Sequence, residues 1–553
     1  MLVAVGADGT GGGWLRPLAV DGASAGPVER VTDLAAAVAA RERTDPPRWL
    51  WATTAGIYPE LVRSGVRVAR CHDLELTEAL LLGYAGRWGE PRSRAAILAR
   101  RNGAPVPPDP PAPAVRPPGE EIQDSLFGPA SGFGPAPAVT EDPTGALAVA
   151  YADQRGRLAA VSHPERFSLL VAAESAGALA AAEMGHDGLP WRDDVHEALL
   201  VQLLGPRSPV GGLPGHLAEL SRAIAEALHS PGLHPESPQE LRRAFARAGI
   251  DLPDTRAWTL RRVDHPAVPL VLEFKERYRI WTAHGWSWRE AWVRHGRFHP
   301  EYVPGGVVSG RWATRGGGAL QIPKSVRAAV VADEGWRLVV ADAGQLEPRV
   351  LAAVSGDPGL AAAAGAGDLY AALAEASFGG DRAKAKLALL GAMYGQTGGA
   401  ALPVIAVLRR QYPVAWEYVE RAARTGETGG LVRSWLGRTC PPGPVDDGQP
   451  RPLSPRAAAA RGRFTRNFVI QATAAEWAVT LLATLRTALA QHTARLVFFQ
   501  HDEVLVHCPQ EEAEQVTAAV WGAATTAGRL LFGATPVRFP LDLATVRCYA
   551  DAG

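Results

Sequence analysis

The run of residues from Leu496 to Cys508, LVFFQHDEVLVHC, constrains the fold of this chain most strongly. Two short apolar segments, 496–499 and 504–506, flank the polar turn QHDE. β-Branched and aromatic residues on either side of a polar turn are typical of a β-hairpin packed on a sheet. The tip of this hairpin would hold two adjacent carboxylates, Asp502 and Glu503, whose mutual repulsion favours either solvation or a bound cation.

A second apolar segment, Arg337–Asp342 (RLVVAD), also has the character of a buried strand and also ends in a carboxylate. If both strands belong to one sheet, Asp342 and Asp502 can hold two divalent ions between them. That arrangement suits in-line phosphoryl transfer, in which one ion activates the attacking oxygen and the other neutralises the leaving group.

Between these strands, a third segment places side chains at steps of four residues: Arg382, Lys386, Leu390 and Tyr394, followed by Gly395. Side chains at this spacing lie on one face of a helix. A face that is basic at its start and aromatic at its end suits a triphosphate and a stacked base.

The three segments, in this order and at this spacing, resemble motifs A, B and C of the family A (DNA polymerase I-like) DNA polymerases. The matching residues are Asp342-x2-Gln345-x-Glu347-x-Arg349, the Arg382/Lys386/Tyr394-Gly395 helix and His501-Asp502-Glu503. The resemblance extends from about Asp194 to the C-terminus. It implies an α/β multidomain protein, with an RNase H-like exonuclease-type domain followed by a right-hand polymerase domain of palm, fingers and thumb.

The resemblance implies a catalytic set and a metal site. Asp342 and Asp502 would bind two Mg²⁺ ions, for which Mn²⁺ can substitute, and Ala343 would add its backbone carbonyl. Glu503 would tune this site, and Lys386 would stabilise charge on the transferred phosphates. The implied catalytic residues are thus Asp342, Asp502, Glu503 and Lys386.

The resemblance also implies a nucleotide pocket with a gate against ribonucleotides. A Glu347 side chain over the sugar, next to Tyr394, would leave no room for a 2′-hydroxyl. Leu390 stands where the family carries Phe or Tyr, which removes a flat wall against the nucleotide. The implied nucleotide-binding residues are Gln345, Glu347, Arg382, Lys386, Leu390, Tyr394 and His501.

Several polar residues are predicted to contact a DNA primer–template. The helical segment 270–282 resembles the thumb helix that grips the duplex backbone, and the stretch from Ser309 to Lys324 resembles the segment that reaches the minor groove. The amides of a third stripe, at 463–471, suit minor-groove acceptors. The predicted set is Lys275, Arg279, Arg311, Gln321, Arg463, Asn467 and Gln471.

The N-terminal part alternates short strands and helices and resembles the family's 3′–5′ exonuclease in position. That activity needs carboxylates that hold two metals, but the first strand lacks the Asp-x-Glu pair and Asp153 follows Tyr151 too closely. Asp73 and Glu75 are interpreted as solvated acids at a helix N-terminus. The domain is therefore predicted to be inactive.

The predicted boundaries are an exonuclease-like domain at 1–190, with a Pro/Gly-rich loop at 104–144, and a polymerase domain at 191–553. Within the latter, the thumb covers about 195–300. The palm covers about 301–355 and 456–553, with a last strand at 537–543, and the fingers cover about 356–455.

The bulk composition excludes few classes of protein. Fifty-seven basic residues balance 57 acidic ones, so nucleic-acid binding has to come from local patches. The four cysteines show no CxxC spacing, and no basic start or long apolar core marks a signal peptide. The Ala-rich stretches are interpreted as too short, or too interrupted by charge, to cross a membrane. These features predict a soluble cytoplasmic protein, and the resemblance implies a monomer associated with the bacterial nucleoid.

The predicted function is template-directed DNA synthesis from deoxynucleotides (dNTPs) on a primer 3′-OH, in repair or gap filling. Two alternatives stay open. One is a repair protein that binds primer–template with weak or no synthesis, and the other is a polymerase with residual 3′–5′ proofreading.

Overall fold

The computed structural model describes residues 1–111, 141–208, 211–315, 322–395, 401–443, 445–446, 449–450 and 453–552. Most of the predicted loop 104–144 and all of Gln321 lie outside these residues.

The N-terminal part is a five-stranded sheet covered by helices. The strand order is β3-β2-β1-β4-β5, with β1, β2 and β3 antiparallel and β1, β4 and β5 parallel. Buried apolar residues of the sheet pack on α2 and α6. Its elements are β1 Leu2–Ala7, β2 Gly13–Leu18, β3 Glu29–Val31, α1 Leu34–Thr44, β4 Arg48–Trp51, α2 Thr54–Arg63, β5 Arg70–Asp73, α3 Leu74–Tyr84, α4 Arg94–Arg101, α5 Thr144–Ala159 and α6 Pro164–Asp187.

Asp73 does lie at a helix N-terminus, but the prediction that it is solvated was wrong. Its side chain is buried, and it accepts hydrogen bonds from the backbone N–H groups of Thr54 (2.6 Å) and Leu76 (2.9 Å). These donors replace the water that the carboxylate loses on burial. Burial and the neighbouring Asp73 raise the pKa of Glu75 to about 7.

The middle of the chain is mostly helical. Buried Trp191, Trp288 and Phe298 form an aromatic cluster that holds these helices against short strands. The elements are β6 Leu189–Pro190, α7 Asp193–Leu204, α8 Gly215–Ala227, α9 Pro238–Arg247, α10 Ala257–Leu260, α11 Ala267–His284, α12 Trp286–Trp292, β7 Val293–Arg294, β8 Arg297–Phe298, β9 Tyr302–Val303 and β10 Ala313–Thr314.

The C-terminal part is built on a four-stranded antiparallel sheet of order β14-β15-β11-β16. Helix α20 packs on β11, β15 and β16, and α19 packs on α20. The elements are β11 Trp336–Ala343, α13 Leu346–Ser355, α14 Pro358–Gly365, α15 Leu369–Ser377, α16 Arg382–Tyr394, α17 Ala401–Gln411, α18 Pro413–Glu427, β12 Val445–Asp446, β13 Gln449–Pro450, α19 Pro455–Ala488, β14 Arg495–Gln500, β15 Glu503–Pro509, α20 Ala513–Phe532 and β16 Leu541–Val546.

The structure confirms the predicted hairpin, the strand that ends near Asp342 and the helix that begins at Arg382. The predicted strand at 537–543 was misplaced, because β16 begins only at Leu541. Pro536 and Pro540 lack the backbone N–H that a strand uses for pairing, which accounts for the late start.

Within the described part of the chain, two helices, α6 and α19, are long and apolar enough to cross a membrane, which contradicts the expectation that no stretch would be. The most apolar windows of the two helices are 72% and 78% buried within the protein. Their apolar surface is thus used in packing, and Trp477 on α19 is fully buried.

Candidate active site

Asp342 and Asp502 meet at one end of the C-terminal sheet. Asp342 lies near the end of β11, and Asp502 lies in the turn between β14 and β15. The backbone N–H of Ala343 donates a 3.1 Å hydrogen bond to the carbonyl of Asp502, which ties the strand end to the turn. Burial and the charge of Asp342 raise the pKa of Asp502 to about 7. The two acids predicted from separate segments therefore repel one another across one site.

Asp342 lies in a row of three acids on adjacent strands. In the sheet register it stands opposite Glu503 on β15 and opposite Asp542 on β16. Partial desolvation, Glu503 and Asp542 together raise the pKa of Asp342. No motif in the sequence marks Asp542, since its place beside Asp342 depends on the pairing of β16 with β11.

Glu503 is anchored away from solvent by two partners that the sequence did not indicate. Its Oε2 accepts a 2.6 Å hydrogen bond from the Tyr549 hydroxyl and lies 3.5 Å from the Arg327 guanidinium. Arg327 in turn packs over the Tyr549 ring at 4.1 Å. These contacts hold Glu503 at the edge of the acid pair, a placement that suits its predicted tuning role.

The donor set fits a hard divalent cation that keeps part of its water. Among the described residues, no group of three or more His, Cys, Asp or Glu side chains is arranged as a complete metal cage. Magnesium is usually held by one or two carboxylates together with water and substrate phosphates, so Asp342 and Asp502 suffice for such an ion. The pKa values of both carboxylates are raised because burial and the neighbouring acids outweigh the opposing charge of Arg327 at Asp342 and of Arg311 at Asp502.

Three predicted site residues form one hydrogen-bonded group beside the acids. The Arg311 guanidinium lies 2.5 Å from Oε1 of Glu347, and the Tyr394 hydroxyl donates to Oε2 of Glu347 at 2.7 Å. Arg311, Glu347, His501 and Asp502 line one cavity. Burial, with the contact to Glu347, raises the pKa of Tyr394. The group fixes both oxygens of Glu347.

The predicted basic face of α16 is exposed along Arg382, Lys386 and Tyr394, and Leu390 is half-buried. The Arg382 side chain is not free, because its Nε lies 2.8 Å from Oδ2 of Asp368.

Asp368 also receives a 2.8 Å hydrogen bond from the side chain of Gln345, so two predicted nucleotide contacts share one acidic partner. Sequence reasoning missed Asp368 because an acid before a helix is a common cap. Its carboxylate does bond to the first backbone N–H groups of α15.

The predicted DNA contacts fall into two groups. Arg279 and Arg463 are exposed, and Asn467 and Gln471 are half-buried on α19. Lys275 instead donates hydrogen bonds to the carbonyl (2.6 Å) and hydroxyl (2.8 Å) of Thr255. Its ammonium group thus binds the segment before α10.

This combination of fold and site is typical of nucleic-acid polymerases. The family model described as DNA polymerase family A matches residues 213–535, more than half of the 553 residues, and the chain belongs to that family.

Relatives and a solved structure agree with this placement. The chain is 29% identical over 307 residues to the thermostable DNA polymerase I of Thermus thermophilus, covering 50% of this chain and 35% of that protein. It is 31% identical over 249 residues to the DNA polymerase I of Chloroflexus aurantiacus, covering 40% of this chain and 26% of that protein. The chain thus spans about a third of the length of the curated relatives.

The fold resembles that of the POL domain of Pol1 from M. smegmatis, solved in complex with DNA primer–template and dNTP. The TM-score is 0.71 at 17% identity, over 100% of this chain and 95% of that chain. At this identity the likeness shows the fold alone, which is mixed α/β.

The raised pKa of Asp502 predicts a pH-dependent cost to stability in metal-free protein. A folded-state pKa of about 7, above the ordinary value near 4, means that folding favours the protonated form. Ionised Asp502 therefore lowers the free energy of unfolding. This loss of stability is absent below about pH 4 and complete above about pH 7. Asp502→Asn should therefore stabilise the protein by on the order of 1–2 kcal/mol at pH 8 and by nothing at low pH.

Thermal unfolding in EDTA at several pH values measures this effect. Asp109→Asn is a suitable control, because hydrogen bonds from Arg92 and Ser93 lower the pKa of Asp109. That variant should be destabilised where Asp502→Asn is stabilised. If the difference in unfolding temperature between Asp502→Asn and wild type were the same at every pH, the raised pKa of Asp502 would be contradicted.

Proposed function

We propose that this protein is a DNA-directed DNA polymerase that adds deoxynucleotides to a primer 3′-OH under the direction of a DNA template. The observation that carries the proposal is the meeting of Asp342 and Asp502, locked together through the backbone of Ala343. Membership of DNA polymerase family A supports it.

The right-hand layout is part of the proposal. The sheet β14-β15-β11-β16 with α13 and α19 would be the palm, and helices α14–α18 would be the fingers. Helices α7–α12 would form the thumb. The N-terminal sheet, with its antiparallel β1–β3 and parallel β1-β4-β5, would be an exonuclease-like domain that has lost its metal site.

In the proposed reaction, Asp342 and Asp502 hold two Mg²⁺ ions, with the carbonyl of Ala343 as a further donor. When bound, these ions would supply positive charge at the attacking and leaving oxygens. The chain's own residues place the substrate. Lys386 and Arg382 bind the phosphates, the latter after leaving Asp368, and stabilise the charge that develops on them.

Glu347 and Tyr394 select the sugar in this proposal. Because Arg311 and Tyr394 occupy both carboxylate oxygens of Glu347, a 2′-hydroxyl at this place would find neither space nor a free acceptor. His501 adjoins Asp502 in the turn and lines the same cavity, where it would orient the primer end.

Primer extension with the purified full chain tests the proposal. We expect template-dependent addition of dNTPs with Mg²⁺, also with Mn²⁺, and little use of ribonucleotides. A gel shift with primer–template but no extension would instead support the alternative of a repair protein that only binds DNA.

Features of the N-terminal sheet argue against proofreading. The first strand carries no carboxylate pair, and Asp8 after it is buried against Arg30 at 2.6 Å. Asp153 pairs with Arg157 at 3.3 Å. A methyl group on Gly6 of β1 would lie 2.2 Å from Cγ of Pro143, so this part of the strand is filled by protein rather than open to a metal.

We accordingly expect no shortening of a single-stranded DNA 3′ end by the Asp342→Ala variant, which lacks synthesis that could mask degradation. Denaturing gels with Mg²⁺ or Mn²⁺ check this, with an authentic proofreading enzyme as positive control. If the 3′ end is degraded, and if Asp8→Asn or Glu75→Gln abolishes this degradation, the alternative of residual proofreading is supported.

We further propose a monomer in the bacterial cytoplasm, associated with the nucleoid and acting in repair or gap filling. Cys71, Cys440, Cys508 and Cys548 are all free thiols, which is usual in a reducing compartment.

A further inference from the structure

The loop that carries Arg311 rests on a buried ion pair contributed from outside the C-terminal sheet. Glu174, on α6, and Arg438, which follows α18, are 3% and 7% exposed. The Arg438 guanidinium donates to a carboxylate oxygen of Glu174. A buried ion pair of this kind is expensive to break from one side, because the remaining charge stays buried.

The loop backbone lies directly on this pair. A methyl group on Gly310 would be 2.3 Å from Nε of Arg438, and one on Gly305 would be 3.3 Å from Oε2 of Glu174. Both glycines have positive φ, 84° and 60°, so they allow a turn and an approach that other residues would not. The ion pair therefore sets the position of the residue before Arg311.

Trp312, the residue after Arg311, packs against the same helix, α6. Trp312 is 3% exposed and packs edge-on against Phe499 with 5.0 Å between ring centroids. A methyl group on Gly177 of α6 would lie 2.7 Å from Cγ2 of Val479 on α19 and 3.2 Å from the Trp312 ring. Glu174 and Gly177 are three residues apart, on one face of α6, and so support both neighbours of Arg311.

From these contacts we infer that Glu174 is a positioning residue for synthesis, acting through Arg438 to fix Arg311 against Glu347. The helix α6 belongs to the N-terminal part, so this part would serve the polymerase site apart from any nuclease role. The inference rests on the proposed function and on the predicted contact of Arg311 with the minor groove at the primer end.

The test asks whether Glu174→Gln displaces Arg311. A primer ending in adenine offers a minor-groove N3 acceptor, and a primer ending in 3-deazaadenine does not. Wild type should extend the 3-deazaadenine primer more slowly. In Glu174→Gln, kcat/KM on the normal primer should fall about 10- to 100-fold, since small misplacements of positioning groups cost that much. The difference between the two primers should disappear.

A matched control is Glu183→Gln. Glu183 is also buried on α6 and also pairs with an arginine across the chain, Arg486 on α19, at 2.7 Å. It supports neither neighbour of Arg311, so this variant should lose thermal stability but keep the difference between primers. Arg438→Lys, which retains a cation, should recover part of the lost kcat/KM relative to Arg438→Gln.

If Glu174→Gln does not fold, Trp312→Phe tests the same support from the Trp312 side without removing a charge, and the same loss of primer discrimination is expected. A folded variant with wild-type kcat/KM and primer discrimination overturns the inference, as does equal loss in Glu183→Gln. Wild type that extends both primers equally also overturns it. Wild type that extends neither overturns the proposed function and the inference together.

Discussion

Replacing Asp342 or Asp502 with asparagine should reduce primer extension by on the order of 10³-fold or more, because each change removes an anionic oxygen from the predicted metal site. The two acids meet through the Ala343–Asp502 backbone bond, which neither change removes. Single-turnover extension with saturating primer–template measures the loss. Binding of DNA should persist, since the residues predicted to contact DNA lie elsewhere.

Asp542→Asn is the matched control for this experiment. Asp542 stands opposite Asp342 in the same row, so the same chemical change there tests whether proximity alone matters. We expect at most about a tenfold effect, as for residues that only tune a metal site. Equal losses at 342, 502 and 542 would contradict the assignment of two ligands, and no loss at 342 or 502 would contradict the mechanism.

Glu347→Ala should admit ribonucleotides. Discrimination, the ratio of kcat/KM for a dNTP to that for the matching rNTP, should fall by on the order of 10²-fold. The physical reason is that alanine leaves space above the sugar and releases Arg311 and the Tyr394 hydroxyl, which can then pair with a 2′-hydroxyl. Steady-state incorporation of single nucleotides measures the ratio.

Two variants separate volume from hydrogen bonding in this gate. Glu347→Gln keeps the size of the side chain and should keep most of the discrimination. Tyr394→Phe removes only the 2.7 Å bond to Glu347 and should have an intermediate effect. Unchanged discrimination in Glu347→Ala would show that the gate lies elsewhere in the pocket.

The hairpin, the strand and the helix of the site could be predicted because each is specified by the pattern of residues within its own segment. Apolar alternation around the QHDE turn predicts the hairpin, and the same logic predicts the strand ending near Asp342. The four-residue spacing from Arg382 to Tyr394 predicts α16. Boundary errors, as at β16, arose where two prolines interrupt an otherwise strand-like sequence.

Partnerships between distant residues could not be predicted in this way. Lys275 has the sequence character of a free surface cation but bonds to Thr255, and Asp73 has the character of a solvated acid but is buried. In both cases the partner comes from another element. Whether a polar group meets protein or water is thus fixed only when the elements pack.

The sequence by itself determined the three chemical segments of the site, the mixed α/β character and the family, because spacing along the chain encodes which side chains share a face. Only the tertiary structure decided that Asp542 joins the row of acids, that Asp368 holds Arg382, and that Glu174 supports the loop of Arg311. The bonded pairs Asp368–Arg382 and Glu174–Arg438 are 14 and 264 positions apart in the chain. Such contacts depend on strand register and helix packing, which no local pattern specifies.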